Sequence, residues 1–411
     1  MERIILHVDM NNFYASVECM LNPELKGKYV AVCGSQEDRH GIVLAKNDLA
    51  KKCGVKTGEV IWQAKQKCPE LVIVPPNYSE YLYYSKKARE IYYRFTDMIE
   101  PYGIDECWLD VTGSTLLFGS GEEIAYQIKE TIKSELDLTV SIGVSFNKVF
   151  AKLGSDMKKP DAVTVIDKDT FKEKIWLLPA CEMIFVGRST TQKLVKYGIK
   201  TLGDLAQTDP DFLKQTLGKN GYDLWIAANG KDVSRVMHTD YKSPIKSVGH
   251  GITCNADLET EDEVWQVFLE LSQDVGRRLR DNHLSASGVQ ISVKDENLCV
   301  KQYQAPLPCY TQNFLELAQG AIKLFTQNYS WRFNVRAVTI RAINLVSDDC
   351  PQQFGLFYNS NKHIKAEKID TAVDKIRDRY GKESVTVATL MLDLKIAKGK
   401  VPALMPSSMY R

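Results

Sequence analysis

The chain has 411 residues, 44% apolar and 26% charged, with a formal net charge of +1. At roughly 100–200 residues per domain, that length holds two to four domains with sizeable cores, and the composition excludes wholesale disorder. No apolar run reaches the roughly 18 residues of a membrane span, and a near-neutral chain must show any nucleic-acid partner through local charge.

The opening Met-Glu-Arg-Ile-Ile-Leu-His-Val-Asp lacks the basic segment, long apolar core and cleavage site of a secretory leader, so a cytoplasmic chain is expected. Residues 3–8 read as a buried strand ending at Asp9. Asn11 or Asn12 can cap a helix from Phe13 to about Met20. Strand-like stretches follow at 29–33 and 41–45, and residues 46–52 look helical up to a Cys53-Gly54 stop. Residues 78–96 form a Tyr-rich helix, and 98–111 read as a hairpin around Pro101-Tyr102-Gly103. A helix at 121–136, a strand at 139–145, a helix at 147–157 and a strand at 162–166 complete a sheet with helices against it.

Short helices split by Gly occupy 168–235, and a polar stretch near 232–245 reads as a linker. A second α+β unit follows in the order βαββαβ. Its strands fall at about 245–252, around Val289–Val293, at 298–304 and at 333–345, and its helices run from Thr260 past Leu279 and over 311–327. Thr260 and Glu263 have the spacing of a capping box. Val264, Val267, Phe268, Leu271, Val275 and Leu279 share one helix face, while Val289, Ile291 and Val293 alternate as in a half-buried strand. A further helix at about 362–380 is too short a tail for its own core and is expected to pack on this unit. None of the ten cysteines forms Cys-x-x-Cys and no His clusters with them along the sequence, so reduced core thiols are expected.

Asp9 ends the first strand, and Asp105 and Glu106 sit beside the hairpin turn. Neighbouring side chains on a regular strand point to opposite faces, so Asp105 and Glu106 converge only if the backbone turns there, as Gly103 allows. If the strands are neighbours, the three carboxylates form a cluster whose repulsion divalent cations would relieve. Hard oxygen donors suit Mg²⁺, and a metal pair about 3.5–4 Å apart can activate an attacking oxygen and stabilise a leaving one. Spacing alone favours exposed turn carboxylates.

The stretch from Val8 to Glu18 closely resembles the opening motif of Y-family, translesion DNA polymerases. Residues 102–110 resemble their second carboxylate motif. Residues 141–148, with Ala151-Lys152 and 155–160, resemble the third. The resemblance is to the DNA polymerase IV and UmuC group of bacteria. It implies a multidomain α+β right hand: a palm at 1–19 and 76–165, fingers at 20–75, a helix-hairpin-helix thumb at 166–235, a linker at 236–245, a βαββαβ little finger at 246–345, and a tail at 346–411. It implies template-directed nucleotide addition to a primer 3′-hydroxyl by a monomer, with primer-template DNA and deoxynucleoside triphosphates as partners.

By that resemblance Asp9, Asp105, Glu106 and the Met10 carbonyl ligate two Mg²⁺, with Glu106 nearest the primer hydroxyl. Phe13, Tyr14, Lys51 and Lys159 line the nucleotide site, and the Tyr14 ring excludes a 2′-hydroxyl. Asp48 stands where many members carry a Tyr, and Asn11 where many carry a second Asp; Asp48 is expected to face away from the phosphates, and both departures lean toward the UmuC-like branch. Residues 182–194 resemble a helix-hairpin-helix, in which Gly187 begins the phosphate-binding helix, although Arg188-Ser189 replaces the usual second glycine. Lys246, Arg332, Arg336 and Arg341 are expected to hold DNA, with 332 and 336 on one strand face. Gln353, Leu356 and Phe357 lie in a pentapeptide resembling the bacterial clamp-binding motif, which implies a sliding-clamp partner. A palm-type nucleotidyl cyclase and a catalytically inactive DNA-binding scaffold are the alternatives.

Overall fold

The structure, a computed structural model, describes residues 2–37, 39, 41–354, 359–391 and 394–396. Leu356 and Phe357 of the pentapeptide therefore lie outside the described residues. The chain forms two compact units, residues 2–34 with 42–243 and residues 35–41 with 244–396. The described strands are β1 (Ile5–Met10), β2 (Val30–Cys33), β3 (Val43–Lys46), β4 (Val72–Val74), β5 (Ile99–Pro101), β6 (Glu106–Asp110), β7 (Val140–Ser145), β8 (Val163–Ile166), β9 (Ser247–Leu258), β10 (Leu284–Asp295), β11 (Val300–Thr311) and β12 (Val335–Ser347).

In the first unit β1 is central in a sheet ordered β5-β6-β1-β7-β8, antiparallel to both β6 and β7. Each of its six residues is buried, as expected of a strand covered on both faces. One face meets the helices Tyr78–Tyr92 and Gly121–Leu136, the latter opened by a capping box between Ser120 and Glu123. The other face meets the helix Lys148–Met157. A Cβ on Gly143 of β7 would lie 1.9 Å from the Ala151 carbonyl oxygen, so only glycine lets this helix come so close.

A small sheet ordered β3-β2-β4 carries its own core with the helix Ile61–Lys67. The sequence reading missed that helix and β4, because seven and three residues are too short for periodicity to register. Residues 171–228 form five short helices around Leu194, Leu202, Leu205, Leu213 and Leu224. Residues 231–246 contain no helix or strand, but Val236 is buried and the Thr239 amide donates to Asp97 O at 3.0 Å.

The second unit has the expected βαββαβ order, with its sheet arranged β11-β10-β12-β9 and its helices Glu261–Asp281 and Phe314–Asn328 on one face. The named apolar positions of both the first helix and β10 are buried. The capping box is only half formed: Thr260 Oγ1 accepts from the Glu263 amide, but the Glu263 carboxylate accepts from the Glu259 amide instead. The tail helix Ser360–Tyr380 docks on the helix Glu261–Asp281 through Arg280–Asp374 at 2.6 Å and Arg277–Asp378 at 2.9 Å, and Leu390 packs on Leu269 and Ala318.

Candidate active site

Register brings the carboxylates together. Asp9 of β1 stands opposite Glu106 of β6, and the Met10 amide donates to Asp105 O at 3.0 Å. The chain turns through 102–105, where the Tyr102 and Gly103 amides both donate to Glu106 O, so Asp105 and Glu106 need not point to opposite faces. The three carboxyl groups, 96 residues and more apart along the chain from Asp9, share one end of the sheet.

Their electrostatics describe a crowded negative centre. Burial, relieved in part by Lys159 and worsened by Glu106, raises the Asp9 carboxyl to about 6. Burial and the charges of Asp9 and Glu106 raise Asp105 to about 7. Burial also acts on Glu106, yet the hydrogen bond from His7 and the Lys152 ammonium outweigh it and hold this carboxyl at about 2. Two cations enter the cluster: Lys152 Nζ is 2.8 Å from Glu106 Oε2, and Lys159 Nζ is 2.7 Å from Asp9 Oδ2. Although burial opposes their charge, the carboxylates Glu106 and Asp156 keep Lys152 above its ordinary pKa, and Asp9 and Asp156 do so for Lys159. An all-oxygen donor set with this surplus of negative charge fits hard divalent cations.

His7 and Lys152 escaped the sequence reading. His7 lies two residues before Asp9 on the same strand, hence on the same face, and that alternation was the available signal. Its imidazole is fully buried, which pushes it down to about 4 and leaves it neutral at pH 7. Nε2 is 3.4 Å from Glu106 Oε2 and Nδ1 is 2.8 Å from Ser155 Oγ. The Ser155 hydroxyl donates to the Lys152 carbonyl oxygen at 2.8 Å, which ties the ring to the helix turn that carries Lys152. Lys152 and Ser155 both ride the helix that Gly143 admits, so a glycine on β7 sets the position of two groups at the site.

Phe13 is buried and Tyr14 half-buried. The Tyr14 ring stacks on Tyr81 at 4.2 Å and meets Tyr78 edge-on at 6.0 Å. Lys51 is exposed at the end of the helix Asp48–Lys52. Burial, with the charge of Lys51 beside it, lowers the pKa of Lys46. Asp48 Oδ1 accepts from Asn12 Nδ2 at 3.0 Å. Asn12 accordingly makes no side-chain cap, and it adopts a left-handed backbone with φ 50°. Asn11 is buried, and its amide is satisfied when the nitrogen donates to Ser141 Oγ at 2.8 Å and the oxygen accepts from the Asp161 amide at 2.9 Å.

Gly187 precedes the helix Arg188–Lys196, whose start has no side-chain cap. In the second unit, alternation puts Arg341 and Thr339 of β12 and Gln290, Ser292 and Lys294 of β10 on the sheet face away from the helices. Gly249 of β9 lies opposite Arg341, and a Cβ there would be 3.1 Å from the Arg341 Cβ. The expectation that Arg332 and Arg336 share a strand face fails. Arg332 precedes β12, and Arg336 falls where the ladder with β10 shifts register between Val335 and Ala337. Lys246 lies just outside β9, and Gln353 is exposed.

The impB/mucB/samB family matches residues 8–156, and its C-terminal domain matches residues 245–356. The thumb domain of DNA polymerase-iota matches residues 185–232. DNA polymerase IV of Acetivibrio thermocellus is 53% identical, covering 96% of this chain and 98% of that protein. DNA polymerase IV 1 of Bacillus subtilis is 37% identical over 97% of this chain and 95% of its own length. A solved Y-family DNA polymerase chimera of Dbh and Dpo4 superposes with a TM-score of 0.73 and 26% identity, covering 84% of this chain and 99% of that one. These relatives carry the name DNA polymerase IV, not that of the UmuC-like branch toward which Asn11 and Asp48 leaned. No helix among the described residues is long and apolar enough to cross a membrane. The chain belongs to the impB/mucB/samB family, the Y-family DNA polymerases, in the DNA polymerase IV group.

Proposed function

We propose that this chain, a DNA-directed DNA polymerase of the translesion type, joins deoxynucleotides to a primer 3′-hydroxyl at the Asp9–Asp105–Glu106 cluster. The observation that carries the assignment is the convergence of three carboxyl groups at one sheet end, two of them raised toward neutrality by crowding and burial. Divalent-metal dependence is general in the family; here Asp9, the Met10 carbonyl, Asp105 and Glu106 would hold two Mg²⁺. When bound, the pair supplies charge for the attacking and leaving oxygens. Glu106, kept ionised by His7 and Lys152, faces the primer hydroxyl. Lys159 and Lys51 hold the triphosphate, and Tyr14 packs beneath the sugar.

Residues 1–19 and 76–165 act as palm, 20–75 as fingers, 166–235 as thumb, 236–245 as linker and 246–345 as little finger. The uncapped helix start after Gly187 offers backbone N–H groups to a phosphate. Lys246, Arg332, Arg336 and Arg341 contribute charge to a DNA grip that does not read sequence. The tail (346–411) engages the bacterial sliding clamp through Gln353, Leu356 and Phe357, and the enzyme works as a cytoplasmic monomer. A palm-type nucleotidyl cyclase or an inactive scaffold would not call for both the carboxylate cluster and the full-length relationship to DNA polymerase IV.

Primer extension with Mg²⁺ on intact and abasic templates tests the assignment. Asp105→Ala and Glu106→Ala are expected to lower extension by on the order of 10³-fold or more while sparing DNA binding. Wild-type extension by either variant would refute it.

A further inference from the structure

The sequence reading found no histidine grouped with a cysteine, but the fold makes such a group within the second unit. Cys309 near the end of β11, Glu316 in the first turn of the helix Phe314–Asn328, and His363 in the first turn of the helix Ser360–Tyr380 meet at one point. They are 7 and 47 residues apart in sequence, a spacing with no motif signature. Cys309 and His363 are buried, and Glu316 is partly so.

His363 Nδ1 lies 2.9 Å from Glu316 Oε2, Cys309 Sγ lies 3.8 Å from His363 Nδ1, and Cys309 Sγ lies 4.0 Å from Glu316 Oε2. The centre of that triangle is about 2 Å from each corner, close to Zn–N and Zn–O lengths of about 2.0–2.2 Å and a Zn–S length of about 2.3 Å.

We propose that Cys309, Glu316 and His363 form a Zn²⁺ site that pins the tail helix to β11 and to the second helix of the unit. A thiolate and a carboxylate balance the charge of one divalent ion, so the neutral centre can be buried at modest cost. Binding expels the Cys309 thiol proton to solvent and leaves the imidazole proton of His363 on Nε2, facing Glu367, with no change of oxidation state. Sulfur and imidazole donors favour Zn²⁺ over Mg²⁺, which separates this site chemically from the all-oxygen cluster of the palm.

The surroundings match what such a site needs. His363 Nε2 is 3.6 Å from the Glu367 carboxylate, so the ring nitrogen turned away from the ion faces an orienting acid. The Thr311 hydroxyl donates to Glu316 Oε2 and fixes that carboxylate. A cavity of about 580 Å³, lined in part by Cys309, Glu316, His363, Leu307 and Ala366, gives an entry path and room for a solvent molecule as fourth ligand.

The test uses the full chain, stripped with chelator and titrated with Zn²⁺ against a competing indicator, in parallel with Co²⁺ substitution. One tightly bound ion per chain is expected, retained in millimolar Mg²⁺, with a thiolate-to-Co²⁺ charge-transfer band. Cys309→Ala and His363→Gln should each weaken binding by more than about 100-fold, beyond the loss that an outer-shell change produces. They should also remove the band, while Asp105→Ala keeps both ion and band. Circular dichroism of each metal-free variant against metal-free wild type separates lost binding from lost fold. Equal Zn²⁺ affinity in wild type and Cys309→Ala, or a Co²⁺ spectrum without the sulfur band, overturns the proposal.

Discussion

Lys159 Nζ lies 2.7 Å from Asp9 Oδ2 and 2.8 Å from Asp156 Oδ1, so a single ammonium joins the first carboxylate motif to the last. The same cation is assigned to the incoming triphosphate. It can serve both only by exchanging Asp9 for phosphate once divalent cations take over the carboxylate. A charge-assisted hydrogen bond is worth about 1.5–3 kcal/mol, so Lys159→Ala should raise the nucleotide KM about 10- to 100-fold with DNA affinity unchanged. Steady-state kinetics over a nucleotide series measures this; an unaltered KM would confine Lys159 to pairing with Asp9.

The pH dependence of metal binding follows from the same cluster. Asp9 and Asp105 have carboxyl groups raised to about 6 and about 7, while Glu106 stays ionised. Protons therefore compete with divalent cations as pH falls through 7 toward 6, and metal affinity should weaken over that window. Above about pH 8 it should level off. Titration of the DNA-free chain with Mn²⁺ between pH 5.5 and 8.5 tests this, and a flat profile would contradict the raised carboxyl groups.

Tyr14 stacks on Tyr81, which is itself tied through its hydroxyl to Glu18, so the ring is held in place from behind. A rigid ring rejects an added hydroxyl better than a mobile one. Tyr14→Ala should raise ribonucleotide incorporation relative to deoxynucleotide by about 10-fold or more. Competition between the two sugars on one template is the measurement, and unchanged discrimination would remove Tyr14 from the role.

Arg341 lies on the open face of the second sheet, and its partner across the strand is a glycine. If it neutralises one phosphate, Arg341→Ala should weaken DNA binding equally on all sequences and reduce the slope of log K against log salt by about 1. An unchanged slope would show that the arginine only faces solvent.

Leu356→Ala with Phe357→Ala should leave distributive synthesis intact and abolish stimulation by the sliding clamp, because two apolar anchors carry most of such a contact. Primer extension with and without clamp decides it; persistent stimulation would move the contact elsewhere in the chain.

Local pattern was enough for much of the fold. The alternation of Val289, Ile291 and Val293 and the helical face from Val264 to Leu279 were readable because each is one strand or helix burying one face. The helix Ile61–Lys67 was lost because two turns leave no periodic trace. Arg332 and Arg336 were misjudged because Arg332 precedes the strand and a register shift at Arg336 breaks the alternation on which the inference depended.

The sequence by itself determined the polymerase motifs, the βαββαβ order of the second unit and the three carboxylates within those motifs, since each is written in contiguous residues. Only the tertiary structure decided that His7 and Lys152 keep Glu106 charged, that Asp48 turns toward Asn12, and that Cys309, Glu316 and His363 meet. Those relations depend on strand register and on how closely one element approaches another. A chain of residue types states neither, because both arise from packing between segments far apart in sequence.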